Sequence, residues 1–239
     1  MTPHLRVVFI TGVIGLTGLG AAQAQAPSGD TRLSGGVARP QLCGSLRNHY
    51  GPYDYRTQHD KLVIVEQYHF DAGVEALVKP MASTQIGGDI AYTLATSPNH
   101  HRALMATIRL GERLNSHQPP GMRYTVECYL ERGLRFRPDD TVVRQLYAQW
   151  LVKQGRRDDA LRQLAIAAEY AQDNALTHHN IGMIYLDLGV SDQALAQAHK
   201  ASALGFAGSR LEERLRRAGV WRDELAPSSA PASSPSSPN

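Results

Sequence analysis

Histidine, cysteine and carboxylate side chains are the groups in this sequence that could do chemistry, and their spacing limits what that chemistry could be. The chain has ten His and two Cys. His100-His101 and His178-His179 are adjacent pairs, and neighbouring residues on a helix point about 100° apart, so neither pair chelates one ion well. The HxxxH and HExxH spacings that serve zinc do not occur. We therefore predict structural or surface roles for these histidines, with no metal ligand and no cofactor.

Nucleophilic and acid–base catalysis has little support in the sequence. A GxSxG elbow is absent, and Gly87-Gly88-Asp89 falls far short of a phosphate-binding loop. Asp139-Asp140 is adequately explained as a helix N-terminal cap. A small hydrolase or metal-binding protein that uses Glu66, His69 and the aromatic turn at 50–55 stays an alternative, which buried polar groups in a deep cleft would favour. The prediction is that the chain has no catalytic residues and is not an enzyme.

Composition describes an ordinary water-soluble chain. Its 239 residues are 42% hydrophobic and 20% charged, with a mean hydropathy of −0.32. Basic and acidic residues are interspersed and leave a formal charge of only +3, whereas nucleic-acid binders concentrate Lys and Arg on one face. We predict one or two domains and no nucleic-acid partner.

The first two dozen residues are typical of a secretory signal peptide. Arg6 precedes an uncharged apolar run, Val7–Ala22, and small residues at Ala22 and Ala24 fit a cleavage site after Ala24. This predicts a signal peptide at 1–24, a periplasmic or secreted protein, and no stable membrane span after its removal. An uncleaved membrane anchor is the alternative.

Export would place the two cysteines in a compartment where disulfides form. In an oxidising compartment Cys43 and Cys128 are predicted to form a disulfide. Neither has a CxxC partner, so a redox motif or zinc ribbon has no support. Two unrelated buried thiols are the alternative.

An internal repeat organises the second half of the chain. Three pairs of small residues recur at an offset of 34: Gly155 and Gly189, Ala160 and Ala194, and Ala167 and Ala201. Two helical hairpins of equal length, each turning at a glycine, explain this spacing. Small residues at fixed positions would let the paired helices approach closely.

These residues resemble the tetratricopeptide-repeat family. In the better copy, Ala175–Gly208, the family's Leu-Gly pair is matched by Ile181-Gly182 and its aromatic position by Tyr185. The preceding copy, Thr141–Asn174, keeps the turn glycine and both alanines. It departs from the family at three positions: Ala148 for Gly, Leu151 for Tyr, and Gln172 for the terminal Pro. The resemblance implies an all-α helical-hairpin array that binds a protein or peptide.

A third, weaker copy precedes these two. Pro98 and Pro138 both occupy a repeat end, and their 40-residue separation is the period plus six residues, which we assign to the Pro-rich turn at 115–121. Helices are predicted at Arg102–Leu114 and Met122–Phe136. The repeat domain then spans 88–218, with a half-repeat helix at Gly88–Thr96 and a capping helix at 209–217. A Pro- and Ser-rich tail at 226–239 is predicted to be disordered.

The block at 25–87 does not match the repeat and is predicted to be an irregular N-terminal cap. Leu62–Val65 is rich in β-branched residues and predicts a short strand or extended segment. Asp71 is a candidate N-cap for a helix at Ala72–Lys79. The complete fold prediction is all-α: about three repeats and a capping helix behind this block, which the Cys43–Cys128 bond would fasten.

Partner binding is predicted on the first helices of the repeats, because in the family these helices line a concave groove. The positions carried over by the resemblance are Arg102, Met105, Arg109, Gln145, Gln149, His179, Asn180 and Met183. An accessory subunit of an envelope enzyme or transporter, contacting its partner through the N-terminal block, is the other open hypothesis.

Overall fold

The computed structural model describes residues 43–208 and 210–223. These residues form ten α-helices and no strand, which confirms the all-α prediction for the described part of the chain. The predicted signal peptide, the start of the N-terminal block up to residue 42, and the tail at 226–239 lie outside the described residues. The helices are α1 His59–His69, α2 Ala72–Glu75, α3 Ile86–Thr96, α4 His101–Leu114, α5 Val126–Phe136, α6 Thr141–Lys153, α7 Arg157–Ala171, α8 Ala175–Asp187, α9 Ser191–Ala203 and α10 Arg210–Arg217.

Two hairpins, α6 with α7 and α8 with α9, form the most regular part of the fold. Gly155 and Gly189 end the first helix of each at φ of 72° and 71°, a left-handed conformation that glycine adopts without a Cβ penalty. The amide that follows each glycine donates 2.9 Å back to a carbonyl of the last turn, Arg156 to Leu151 and Val190 to Tyr185. These closures end both helices in the same way.

Small residues permit the close helix packing that the repeat pattern predicts. Ala160, Ala167 and Ala194 are fully buried, and Ala201 is almost fully buried. A Cβ added to Gly182 would overlap the side chain of Leu211 in the capping helix. The array therefore leaves little space for larger side chains at these positions.

Side-chain caps mark the start of each first helix at the expected intervals. His100 Nδ1 accepts 3.1 Å from the Ala103 amide, and Asn174 Oδ1 accepts 2.9 Å from the Thr177 amide. Between them, Asp140 accepts from the amides of two residues of α6, which confirms its predicted capping role. Helices α4 and α5 occupy the positions predicted for the weaker copy. Its second helix begins at Val126 instead of Met122, because Thr125 caps the Cys128 amide.

The N-terminal block is more helical than its sequence indicates. The prediction of a strand or extended segment at Leu62–Val65 is wrong, because these residues lie inside α1. Leu62 and Val65 are three residues apart, so they share a helix face, and α1 packs against α3 with both of them buried. This burial outweighs the β-propensity of the run.

The second helix of this block keeps its predicted start but not its predicted end. Asp71 accepts 2.8 Å from the Val74 amide, which confirms it as the N-cap. The helix ends at Glu75 instead of Lys79, because Leu77 takes a positive φ of 59° and the Val78 amide closes on the Gly73 carbonyl at 2.8 Å. No described helix is both long enough and apolar enough to cross a membrane.

Candidate functional site

A disulfide joins the N-terminal block to the first repeat. Cys43 and Cys128 are bonded with Cα atoms 5.1 Å apart, which confirms the predicted pair. Arg132 Nη1 donates at 2.8 Å to the carbonyls of both Cys43 and Ser45, and Arg135 donates at 2.8 Å to that of Gly44. The segment at 43–45 is therefore fastened to α5 by one covalent bond and by arginine hydrogen bonds.

The disulfide also determines whether the most compact group of possible metal ligands can bind a metal ion. Cys43, Cys128 and Glu131 are the one group of three or more such residues that converge in the described part of the chain. The two sulfurs are bonded to each other and are not thiolates, and metals bind the thiolate. We assign this group no metal.

A buried polar network lies where the N-terminal block meets the turns before α4 and α6. Asn99, fully buried, donates from Nδ2 to Asp54 at 2.7 Å and to Asp140 at 2.8 Å, and its Oδ1 accepts from the Tyr55 amide. Arg56 bonds both Asp54 and Asp139 at 2.9 Å. These contacts supply the partners that buried carboxylates require.

Electrostatics keep the two buried carboxylates of this network ionised. Burial alone would raise the pKa of Asp54, but hydrogen bonds from Arg56 and Asn99 outweigh it and hold that pKa well below its usual range. Burial opposes ionisation of Asp140 in the same way, and the nearby His101, whose Nε2 lies 2.9 Å from Oδ2, is the main cause of its lowered pKa.

His100 forms a second buried contact between the two parts of the chain. Its Nδ1 accepts from the Ala103 amide, so its Nε2 carries the proton and donates 2.8 Å to Glu66. Burial lowers the pKa of His100 against the opposing pull of Glu66, so the neutral form predominates near pH 7. The hydrogen bond from His100 in turn lowers the pKa of Glu66.

The hydrolase or metal-site alternative named Glu66 and His69, which have different partners. Glu66 binds His100, a side chain with no exposed surface. His69 Nδ1 lies 3.0 Å from Asp89 and its ring stacks on Tyr92. Asp89 is itself saturated by the amides of Met81, Ala82 and Ser83. These contacts join elements of the fold. His69 also lines a cavity of about 390 Å³ together with Tyr50 of the aromatic turn, whereas Glu66 is not part of that lining.

The predicted groove residues fall into three groups. On α4, Met105 is half-buried, while Arg102 and Arg109 are turned toward α2, where Arg102 pairs with the Glu75 carboxylate and Arg109 donates 3.1 Å to the Glu75 carbonyl. The N-terminal block thus contacts the arginines at this end of the predicted groove, and both of them stay exposed. Its contacts use the same arginines that were expected to meet a partner.

The other predicted positions lie on α6 and α8. Gln149 and Asn180 are exposed, whereas Gln145 and His179 are buried at 7% and 9% exposure, and the His179 ring packs on Phe206. Met183 is half-buried, with its sulfur 3.9 Å from Arg214. The open part of the predicted face therefore lies around Gln149 and Asn180.

Two apolar residues on this face were missed by the sequence analysis. Val142 and Leu176 are 37% and 55% exposed. They are the second residues of α6 and α8 and occupy the same position in consecutive repeats. The offset of 34 could have indicated them, since large apolar residues recur there outside the helices' buried stripes.

A second exposed apolar surface lies on α1. Val63, Ile64 and Tyr68 are 63%, 55% and 55% exposed, on the side of α1 away from Leu62 and Val65. The cavity of about 390 Å³ that His69 lines adjoins Ile64 and Tyr68, and its walls include Tyr50 and Tyr92. We name Val63, Ile64 and Tyr68 the α1 patch.

A third feature is a cleft between α5 and α7 with α6 as its floor. Its volume is about 430 Å³. Apolar side chains from all three helices line it, and charged groups, mostly arginine, surround them. We name it the α5–α7 cleft.

The fold and these contacts define a helical-hairpin repeat protein with a disulfide-fastened N-terminal block. No protein-family model, curated protein or solved structure matches the chain.

Proposed function

We propose that this chain is a scaffold of the tetratricopeptide-repeat type, which binds a protein or peptide on the face formed by α6 and α8 and does not itself catalyse a reaction. The observation that carries the proposal is the exposure of Val142 and Leu176 at one repeat position. Exposed apolar side chains aligned on neighbouring helices are typical of surfaces that bind other chains.

Polar groups beside these two residues suit an extended or helical peptide. Gln149 and Asn180 are exposed amides on the same two helices, and each can donate to and accept from a peptide backbone. Because α2 occupies the arginines of α4, we place the bound segment over α6 and α8, not along the whole array.

We also propose that the chain works outside the cytoplasm, in the periplasm or as a secreted protein. The Cys43–Cys128 disulfide supports this, because such bonds persist in oxidising compartments. The predicted signal peptide points the same way. Mass spectrometry of the mature N-terminus tests the proposal, and an intact Met1 on reduced cytoplasmic protein would refute it.

Crosslinking capture from an envelope fraction tests the binding face. The full chain carrying Val142→Ser and Leu176→Ser is expected to lose its captured partner while keeping its helical circular dichroism. The matched control replaces two exposed apolar residues elsewhere, Val78→Ser and Leu114→Ser, which are 74% and 47% exposed. Equal capture by both variants would remove the proposed face.

The α1 patch supports a second candidate, an accessory subunit that contacts an envelope enzyme or transporter through its N-terminal block. Three large apolar side chains exposed on one short helix favour it. Ile64→Ser with Tyr68→Ser belongs in the same capture experiment. Loss of the partner in this variant alone would favour the second candidate over the first.

A further inference from the structure

Arg144 performs a packing task that a neutral residue performs in the next repeat. Its guanidinium donates to the Pro138 carbonyl at 2.7 Å and to the Gln163 side chain at 2.8 Å. His178, 34 positions later, contacts the Gln172 carbonyl at 2.8 Å and the Gln197 side chain at 2.7 Å. Every one of these partners is also offset by 34, so the helix packing itself does not require the fixed positive charge of an arginine at position 144.

Arg144 is buried without a carboxylate that hydrogen-bonds to it among the described residues, although Asp139 and Glu169 lie near enough to interact with its charge. The residue is 8% exposed, and within the described residues its hydrogen-bond partners are the neutral oxygens of Pro138 and Gln163. Its guanidinium carbon lies 5.6 Å from the Tyr170 ring, a contact that compensates only part of a buried charge. Buried charges are ordinarily paired, so an external anion would complete this environment.

Arg144 lines the α5–α7 cleft, and further arginines in the lining make the electrostatic potential of the cleft more positive. Arg135, Arg156 and Arg162 also line the cleft, against two acidic residues, Glu131 and Asp159. Arg156 and Arg162 both pair with Asp159, and Arg156 also pairs with Glu127. The four arginines outnumber these three carboxylates, so the cleft is net positive, and its low-dielectric walls strengthen attraction for an anion.

Apolar side chains give the cleft a second binding property. Leu134, Tyr147 and Ile166 line it from α5, α6 and α7 respectively. A volume of about 430 Å³ holds a few side chains, not a folded domain. Its lining therefore matches a short segment that carries both a carboxylate and an apolar side chain.

We propose that the α5–α7 cleft binds an acidic peptide segment of a partner protein, with a Glu or Asp carboxylate near Arg144 and a neighbouring apolar side chain against Leu134, Tyr147 and Ile166. Arg162 at the rim, half-exposed and paired with Asp159, adds attraction. This site lies on the opposite side of α6 from the proposed binding face, since Arg144 is offset by about 200° from Val142 at 100° per residue. It is thus independent of the proposed function.

Isothermal titration of the full, oxidised chain with synthetic peptides tests the proposal. The probe is an acetylated hexapeptide of alternating Leu and Glu, and its control has Gln in place of each Glu. The Glu peptide is expected to bind at least tenfold more tightly, and its affinity is expected to fall as salt rises. Equal binding of the two peptides would overturn the proposal, as would inorganic phosphate binding as tightly as the Glu peptide.

The variant Arg144→His tests whether the Glu peptide binds at Arg144. It is expected to keep the fold, because a histidine makes the equivalent contacts at position 178. It should weaken the Glu peptide at least tenfold, whereas Arg217→Gln, an equal loss of charge on exposed α10, should leave binding unchanged. Wild-type affinity in Arg144→His would refute the proposal. If that variant unfolds, the half-exposed Arg162→Gln replaces it, with a severalfold weakening expected. The variant Val142→Ser with Leu176→Ser should still bind the Glu peptide, which separates this site from the other face.

Discussion

Asp54 and Asp140, two almost fully buried carboxylates, are held together by the side-chain amide of Asn99. One Nδ2 group donates to both, at 2.7 and 2.8 Å. Like charges this close repel in a buried setting, so the donor between them, the guanidinium groups of Arg56 and Arg137 at Asp54, and the His101 ring at Asp140 make the arrangement stable. Asn99 is therefore the neutral residue that lets these two carboxylates lie together at the junction of the N-terminal block with the repeats.

Replacing Asn99 by Asp is expected to be strongly destabilising. The change keeps the shape but removes both donated hydrogen bonds and adds a third carboxylate, so we expect a loss of about 3–5 kcal/mol in the free energy of unfolding, the range for disrupting a buried charge pair. Urea denaturation measures it. The control, Asn180→Asp on the exposed face of α8, adds the same charge and is expected to change stability by less than about 0.5 kcal/mol. Equal midpoints for the two variants would contradict the network.

Stability is expected to fall as the pH drops below about 6.5, the ordinary pKa of histidine. The folded-state pKa of His100 is lowered by burial, so the unfolded chain binds this proton more readily. The stabilisation is therefore present above the unfolded pKa and is lost as pH falls through the folded one. Protonation would also place a proton on Nδ1, which must accept from the Ala103 amide.

His100→Asn tests this, because Asn caps helices well and does not titrate. Unfolding midpoints between pH 7.5 and 5 are expected to show a shallower slope in this variant than in the wild type. His179, whose pKa burial also lowers, adds to the same slope, and His179→Asn measures its share. The lowered pKa values of Glu66 and Asp140 act at lower pH. An unchanged slope in His100→Asn would show that His100 does not titrate in this range.

Reduction of the disulfide is expected to loosen the N-terminal block before the repeats. The 85-residue separation of the two cysteines gives a chain-entropy contribution of at most about 4–5 kcal/mol. Arg132 and Arg135 still hold residues 43–45, so the loss is expected to be smaller than this limit. Hydrogen exchange on a variant with Cys43→Ser and Cys128→Ser should show weaker protection in α1 to α3 and unchanged protection in α8 and α9. Uniform loss along the chain would contradict the fastening role.

Overpacking the second hairpin tests the close approach of its helices. Ala194 is fully buried, and Ala194→Leu is expected to cost about 1–3 kcal/mol in the free energy of unfolding. Ala203→Leu, on the exposed end of the same helix, is the matched control and should be nearly neutral. A thermal melt of each variant suffices. Similar midpoints would mean that α8 and α9 tolerate a larger side chain at their contact.

The sequence by itself determined the two regular hairpins, the helix caps at Asp71 and Asp140, and the cysteine pair, whereas the caps at His100, Thr125 and Asn174 were not predicted. Glycines at 155 and 189, alanines at equal offsets, and capping residues such as Asp71 and Asp140 act over one or two helical turns. Such signals can be recognised in a linear sequence because the contacts they make are local. With two cysteines, only one intramolecular bond was possible, so the pairing needed no geometry.

Only the tertiary structure decided the helical state of α1, the contacts of the α4 arginines with α2, and the surroundings of Arg144. Leu62–Val65 has side chains that suit a strand or a helix, and packing against α3 selected the helix. Arg102 was expected to face a partner, but Glu75 lies against it. Arg144 and His178 do not resemble each other as residues, and their shared contacts emerge only when the hairpins are packed. In each case the deciding contact joins residues distant in sequence, and such contacts leave no local periodicity from which to predict them.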